Sequence, residues 1–222
     1  VPAGIDLSQI EGKIVAVDDE QENTETIDEN KLIVCLDAGH GGKDNGSDYR
    51  LRYEKNDNLK ITQAVAAYLA DKEDVQVIMT RSDDTFLSLE ERTTFANQNN
   101  ADYFVSLHRN TGEGNGVETW IRSDADDKTQ ALAKNIMGNL DAAGISRNRG
   151  VKKGTQKSES KDYYVNLHTN MPACIVELGF MNSPTDNQLF DANVENYAKA
   201  IGDAVLKTYE AYGKDGADAT ES

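Results

Sequence analysis

The sequence has only two cysteines, Cys35 and Cys174, among its 222 residues. Two cysteines do not make a disulfide framework, so they say little about the compartment in which the protein works. Each lies inside an apolar, strand-like run, which favours a buried free thiol. Their separation also lacks the spacing of a cysteine-type zinc site. If the protein binds a metal, other side chains must supply the ligands.

Long apolar runs are also missing. No run is long enough to cross a bilayer, so we expect no membrane span in this chain. The chain begins Val-Pro-Ala-Gly, without the basic segment and apolar core of a signal peptide. We therefore expect any export of the protein to depend on a segment that this chain lacks.

Basic residues are scarce: 23 lysines and arginines stand against 39 aspartates and glutamates, a formal charge of -16. An acidic surface disfavours binding to polyanions, so nucleic acid is not an expected partner. Residues 1–30 hold nine acids and one lysine, which predicts a solvated arm or linker. Within this arm, residues 13–17 could form a short edge strand. We expect one catalytic domain over residues 31–213 and a polar tail over residues 214–222.

Apolar runs alternate with amphipathic stretches along residues 31–213 and predict alternating strands and helices. The expected strands cover residues 32–36, 75–79, 103–107, 116–121, 163–167 and 173–176, and the expected helices cover 56–71, 88–99, 127–143 and 194–212, with a short helix after Pro184. Residues 150–160 read as an exposed loop. This order predicts an α/β fold: a mostly parallel central sheet with helices on both faces, in three layers.

His40 stands directly after the most strongly predicted strand. The apolar run 32–36 stops at Asp37, and the glycines Gly39, Gly41 and Gly42 then surround the histidine. Glycine lets the backbone turn sharply and approach a ligand closely. Open α/β sheets bind their ligands at the carboxyl ends of the strands. The sequence therefore places His40 at the expected ligand crevice.

Three further polar residues lie at comparable positions. His108 follows the run 103–107, and Glu177 follows the run 173–176. A lone histidine at a strand end is more often a hydrogen-bonded structural residue than a ligand, but parallel strands bring two such ends together. Glu177 is either capped by backbone donors or active in the cleft, because a buried carboxylate is costly when unpaired. Glu54 precedes the first long helix and, taken alone, reads as a surface residue that complements the helix dipole.

Taken together, these four residues suit one zinc site. Two neutral imidazoles and a carboxylate can hold one zinc ion and leave a position for water. A second carboxylate that does not bind the metal can serve as general base and later protonate the leaving amine.

The motifs also resemble those of a known family. Asp37-Ala-Gly-His-Gly-Gly, Glu54, Ser106-Leu-His-Arg-Asn and Met171-Pro-Ala-Cys-Ile-Val-Glu-Leu-Gly-Phe-Met-Asn follow in the order seen in zinc-dependent N-acetylmuramoyl-L-alanine amidases of bacterial cell walls. The resemblance implies that His40, Glu54 and His108 bind one zinc ion and that Glu177 is the catalytic carboxylate. The implied reaction is hydrolysis of the amide between N-acetylmuramic acid and L-alanine of the peptidoglycan stem peptide.

The resemblance also bears on neighbouring residues. Arg109 and Asn110 flank a ligand and are candidates for substrate contact, although Arg109 could equally lie on the surface. Arg81 and Arg92 more plausibly hold structure, and His168 matches no ligand position. Some relatives carry a helix that plugs the zinc cleft, but the few residues between Trp120 and the helix near residue 127 leave no room for one. We therefore expect an open site.

Other functions stay open on the sequence. The chain could be a different zinc peptidase, such as a carboxypeptidase acting on wall peptides, or a sporulation-specific amidase that needs a partner protein. A non-catalytic wall-binding module is disfavoured, because the sequence shows neither repeats nor clustered aromatic residues. We expect a monomer that works outside the cell or in the wall of a bacterium.

Overall fold

The structure is a computed structural model that describes residues 14–16, 27–156 and 160–214. The strands are β1 (Ile14–Ala16), β2 (Leu32–Ala38), β3 (Asp48–Tyr49), β4 (Arg52–Tyr53), β5 (Val75–Met79), β6 (Tyr103–Asn110), β7 (Val117–Ile121), β8 (Asn148–Lys153) and β9 (Ala173–Phe180), and the helices are α1 (Glu54–Ala70), α2 (Leu89–Gln98), α3 (Asp127–Ala142), α4 (Tyr164–His168) and α5 (Pro184–Tyr212). Of the predicted acidic arm, only β1 and residues 27–30 are described. Most of the predicted polar tail also lies outside the described residues.

The described strands form a seven-stranded sheet in the order β1-β5-β2-β6-β9-β7-β8, and β3 and β4 form a separate hairpin. Neighbouring strands of the large sheet run parallel except for β7 and β9. The prediction of a mostly parallel sheet is confirmed. So is the edge strand expected within residues 13–17, since β1 pairs with β5 at the outer edge.

Helices cover both faces of the sheet, as the sequence predicted. One face packs against α1, α3 and α5 around residues such as Leu36 and Val176. The other face, which includes Ile33 and Phe104, packs against α2 and α4. The two cysteines are buried and free, and they face opposite sides of the sheet, Cys35 with the second cluster and Cys174 with the first. The prediction of buried thiols is confirmed.

Two predicted elements were wrong. Residues 150–160 were expected to be a loop, but β8 occupies their first part and pairs in parallel with β7. This strand lies at the sheet edge and is half-exposed, so it carries no apolar run. Residues 163–167 were expected to be a strand, but they lie largely in the short helix α4. A brief apolar run does not distinguish a strand from a buried turn of helix.

The carboxyl-terminal helices agree with the prediction. The short helix after Pro184 and the long last helix are joined in α5, with a non-helical residue, Asn193, at the kink between them. The connection between β7 and α3 covers residues 122–126 only, so it holds no plug helix. None of the described helices is both long and apolar enough to cross a membrane.

Asp37 ties the end of β2 to its neighbours. Its buried carboxylate accepts hydrogen bonds from Thr80 Oγ1 (2.7 Å), Arg92 Nη1 (2.7 Å) and Ser106 Oγ (2.6 Å). Burial by itself raises the pKa of Asp37, but the Arg92 charge and these hydrogen bonds outweigh it and lower the pKa to about 2. The folded pKa is thus below the unfolded value. Its stabilising contribution is therefore complete above about pH 4 and is lost as the pH falls through about 2.

We therefore expect Asp37→Asn to lower the free energy of unfolding by about 3 kcal/mol at neutral pH, because Arg92 loses its buried counter-ion. The variant should also lose part of the acid-dependent fall in stability between about pH 4 and pH 2. Urea unfolding followed by circular dichroism over this pH range measures both effects. Asp141→Asn, at an exposed position on α3, is the control. If the free energy of unfolding fell equally steeply with pH in Asp37→Asn and in wild type, Asp37 would not be the source of the acid-dependent loss of stability.

Candidate metal centre

The loop after β2 holds His40 in a left-handed backbone conformation, with φ at 63°. Such a conformation is uncommon for a residue other than glycine and needs support from its surroundings. Two buried arginines supply it: Arg81 donates to the carbonyls of Ala38 (2.8 Å) and Gly39 (3.0 Å), and Arg92 donates to the carbonyl of His40 (2.7 Å). Both arginines thus hold the loop, as expected for structural residues.

A carboxylate fixes the His40 ring. Asp44 Oδ2 lies 2.8 Å from His40 Nδ1, and its other oxygen accepts the backbone N–H of Gly46. His40 Nε2 then faces Glu54 Oε1 at 3.3 Å. A histidine that binds a metal through one nitrogen usually has its other nitrogen bonded to such a partner. Sequence reasoning missed Asp44, although its position four residues after His40 on a tight loop could have suggested it.

Glu54 is the first residue of α1 and is buried. Its Oε2 accepts the backbone N–H of Ser47 at 2.9 Å. Its Oε1 lies 2.9 Å from His108 Nδ1 and accepts the backbone N–H of Arg109 at 3.2 Å. The carboxylate therefore points inward to the strand ends, and it is not a surface residue at the helix start.

His40, Glu54 and His108 each offer one ligand atom, and these atoms lie within 4.8 Å of one another. Burial lowers the pKa of His40, but Glu54 and Asp44 outweigh it and raise the pKa to about 9. Burial raises the pKa of Glu54, but hydrogen bonds and charge from both histidines outweigh it and hold the pKa far below its usual range. The cluster is therefore arranged to favour a positive charge at its centre.

Two glycines leave the space that this cluster needs. A Cβ atom on Gly39 would lie 2.1 Å from the His108 ring, and one on Gly46 would lie 2.6 Å from His40 Cδ2 and 2.7 Å from Glu54 Oε2. Either atom would displace a ligand side chain. Gly39 has the role of close approach that the sequence suggested, while Gly46 was missed because a glycine in a polar loop carries no distinguishing signal.

Glu177 lies on β9 directly across from His108 on β6. Its Oε2 is buried and has no hydrogen-bond partner among the described residues. Burial is the main cause that raises the pKa of Glu177 to about 7; the nearby carboxylates of Glu54 and Glu118 add to the shift and His108 opposes it. Of the two options open on the sequence, backbone capping or a place in the cleft, the geometry matches the second.

All four side chains line one groove of about 670 Å³. The groove lies on the same sheet face as α2 and α4. These helices are short, with 10 and 5 residues, and cover only the first part of the strands, where Ile33, Phe104 and Ala173 lie. The carboxyl ends of β6 and β9, which carry His108 and Glu177, are left facing the groove. The volume is in the range of small-molecule sites.

The other predicted site residues have different surroundings. Arg109 lines the groove, and its guanidinium is buried and donates to Asp57 Oδ2 (2.6 Å) and Asn187 Oδ1 (2.7 Å). Asn110 donates to Glu118 Oε1 at 3.0 Å. His168 lies on α4 outside the three-residue cluster, and its ring stacks on Tyr164.

Comparison with known proteins agrees with this architecture. The N-acetylmuramoyl-L-alanine amidase family (Amidase_3) matches residues 34–207. A solved N-acetylmuramoyl-L-alanine amidase from Clostridium difficile 630 is 33% identical with a TM-score of 0.76, over 83% of this chain and all of that one. The catalytic domain of CwlV from Bacillus (Paenibacillus) polymyxa, also 33% identical, has a TM-score of 0.71 over 80% of this chain and 98% of that one.

The chain is also similar in sequence to several proteins of Bacillus subtilis and Staphylococcus aureus. The uncharacterized protein YqiI of Bacillus subtilis is 36% identical over 81% of this chain and 84% of its own length. The sporulation-specific N-acetylmuramoyl-L-alanine amidase of Bacillus subtilis is 32% identical over 69% of this chain, but the match spans only 58% of that protein. The probable cell wall amidase LytH of Staphylococcus aureus is 32% identical over 70% of this chain and half of that protein.

The three-layer fold and the matched relatives define an amide hydrolase of the bacterial cell wall. Within that class, the chain belongs to the N-acetylmuramoyl-L-alanine amidase family.

Proposed function

We propose that this chain is a zinc-dependent peptidoglycan hydrolase that cleaves the amide between N-acetylmuramic acid and L-alanine of the stem peptide. The observation that carries the proposal is the convergence of His40, Glu54 and His108 in a groove that Glu177 also lines. Residues 31–213 would form the catalytic unit, acting as a monomer in the wall or outside the cell.

The residues fit zinc. Two imidazoles and one carboxylate are a donor set that zinc hydrolases use. A tetrahedral ion with bonds of about 2.0–2.2 Å separates its ligand atoms by about 3.3–3.6 Å. Glu54 Oε1 lies 3.3 Å from His40 Nε2 and 2.9 Å from His108 Nδ1, and the three residues each offer one ligand atom within 4.8 Å of the others. The unpartnered oxygen of Glu177 is the second supporting observation, because a buried carboxylate oxygen without a donor is costly unless it has a ligand or a proton to bind.

In this proposal His40, Glu54 and His108 would hold one zinc ion. When bound, zinc supplies Lewis acidity: it polarises a carbonyl and lowers the pKa of water from about 16 to about 7. Glu177 accepts a proton from the attacking water and passes it to the alanine nitrogen as the amide breaks. Burial raises the pKa of Glu177 above its usual range, which makes the carboxylate a better proton acceptor. Asp44 keeps the His40 ring oriented throughout.

Arg109 and Asn110 have supporting roles in this proposal besides the substrate contacts expected from the sequence. Arg109 reaches the site through its backbone N–H, which donates to Glu54, while its side chain is held by Asp57. Asn110 is bound to Glu118. Both residues line the groove, so contact with the substrate stays a prediction for each.

The test is product analysis on purified muropeptides. We expect the zinc-loaded protein to release an intact stem peptide with a free amino-terminal alanine, together with peptide-free muramic acid. Release of a carboxyl-terminal amino acid from the stem would identify a carboxypeptidase instead. Cleavage that appears only with an added partner protein would favour the sporulation-specific alternative; the solved CwlD amidase of Clostridioides difficile, 28% identical, is a complex with the GerS lipoprotein.

A further inference from the structure

Four of the five clearly exposed large apolar side chains in the described part of the chain lie along one groove. Among the described residues, the large hydrophobic side chains that are clearly exposed are Leu51, Phe86, Leu89, Tyr164 and Leu167. All of them except Leu51 line the groove that contains His40, Glu54, His108 and Glu177. Single exposed apolar residues need no explanation, but a group on one groove is typical of a binding surface. We call Phe86, Leu89, Tyr164 and Leu167 the apolar rim.

The apolar rim is contributed by two segments. Phe86 and Leu89 lie where the chain enters α2, whose first residue is Leu89. Tyr164 and Leu167 lie on α4, which packs against α2. The Tyr164 ring stacks on the His168 ring, with centroids 4.0 Å apart and an angle of 28° between the planes. This contact across one helical turn restrains Tyr164 and gives the groove a preformed ring surface.

Three charged side chains that also line the groove, those of Arg92, Arg109 and Asp162, are already engaged. Arg92 forms a buried ion pair with Asp37, and Arg109 forms one with Asp57. Asp162 accepts hydrogen bonds from the backbone N–H and the hydroxyl of Ser123. What the apolar rim offers to a ligand is therefore ring faces and aliphatic groups.

This inference rests on the proposed function, whose substrate has two arms that leave the scissile amide. The stem peptide carries carboxylates and amines, which an apolar surface does not favour. The glycan strand presents the C–H faces of its pyranose rings and the methyl groups of its N-acetyl substituents. Aromatic rings bury such apolar area at little entropic cost, and leucine side chains pack against methyl groups. The chemistry of the apolar rim matches the glycan arm.

We propose that Phe86, Leu89, Tyr164 and Leu167 form a subsite for N-acetylated sugars of the glycan strand next to the muramic acid that carries the scissile amide. The subsite makes the enzyme prefer stem peptides on polymeric glycan to the same peptides on a single sugar.

The test compares two substrates that carry the same stem peptide, one on a single N-acetylmuramic acid and one on a tetrasaccharide. Tyr164→Ala and Leu167→Ala should each raise KM for the tetrasaccharide substrate about five- to tenfold and leave kcat unchanged. KM for the one-sugar substrate should change less than about twofold. Tyr164→Phe keeps the ring and should retain the wild-type preference. Leu51→Ala, at an exposed leucine outside the groove, is the matched control and should leave both substrates unaffected.

A second measurement separates the failure of this inference from the failure of the proposed function. Titration calorimetry with a peptide-free tetrasaccharide of the wall glycan should show binding to wild type and about five- to tenfold weaker binding to Tyr164→Ala. This result does not depend on catalysis. If wild type cleaves both substrates but the rim variants match it in KM and in glycan binding, the subsite is refuted while the amidase stands. If the rim variants raised KM equally for both substrates, or if the rise in KM depended on peptide length, the apolar rim would bind the stem peptide and the inference would be overturned.

Discussion

Glu177→Gln is expected to abolish turnover while the protein still binds one zinc ion. The substitution removes the group that accepts and returns the proton, and such groups contribute about 10²–10⁴-fold in rate. Glutamine keeps the size of the side chain and does not alter His40, Glu54 or His108. Because the glutamate is a buried carboxylate with an unpartnered oxygen, its neutral replacement should not lower the melting temperature. The measurements are zinc content by mass spectrometry and release of stem peptides from muropeptides.

Glu195→Gln, at an exposed position on α5, is the matched control and should behave like wild type. Wild-type turnover by Glu177→Gln would remove that residue from the reaction. A loss of both zinc and turnover would point to Glu177 as a further metal ligand and would require a different proton acceptor.

The second large effect is expected for His108→Ala, which should lose both zinc and activity. The imidazole is one of three ligand groups, and the loss even of a partner behind a ligand commonly costs 10–100-fold in metal affinity. Loss of the ligand itself should exceed about 100-fold. Competition with a chromophoric zinc chelator measures the affinity, and the free energy of unfolding without zinc reports whether the fold is intact.

His168→Ala serves as the control for zinc affinity, because His168 lies outside the ligand cluster. It should bind zinc like wild type. Unchanged zinc affinity in His108→Ala would show that the ion, if bound, is held elsewhere, and the proposed metal centre would then be wrong.

Much of the fold could be predicted from local patterns. The runs that became β2, β6 and β9 are continuous and apolar because both faces of these strands are covered. The helical stripes that became α1 and α3 follow from one buried face each. Since parallel strands end at a common edge, the residues that follow these runs, His40, His108 and Glu177, could be grouped at one site from the sequence alone.

The errors have a common cause. The strand β8 lies at the sheet edge and α4 has only five residues, so neither carries a repeat long enough to define its period. Arg109 was open between substrate contact and surface; its guanidinium is buried, although the residue lines the groove, so the role in substrate contact stays a prediction. Its burial against Asp57 and Asn187 depends on α1 and α5, which are distant in sequence.

The sequence by itself determined the alternation of strands and helices, the strand-end positions of the two histidines and Glu177, and the acidity that disfavours polyanions, because each depends on residue type and short-range spacing. Only the tertiary structure decided that β9 lies between β6 and β7, which sets Glu177 beside His108. It also decided that Glu54 turns inward, that Gly39 and Gly46 leave room for the ligand rings, and that the exposed apolar side chains gather along the groove. These features arise from contacts between segments far apart in the chain, and no local pattern encodes which segments will meet.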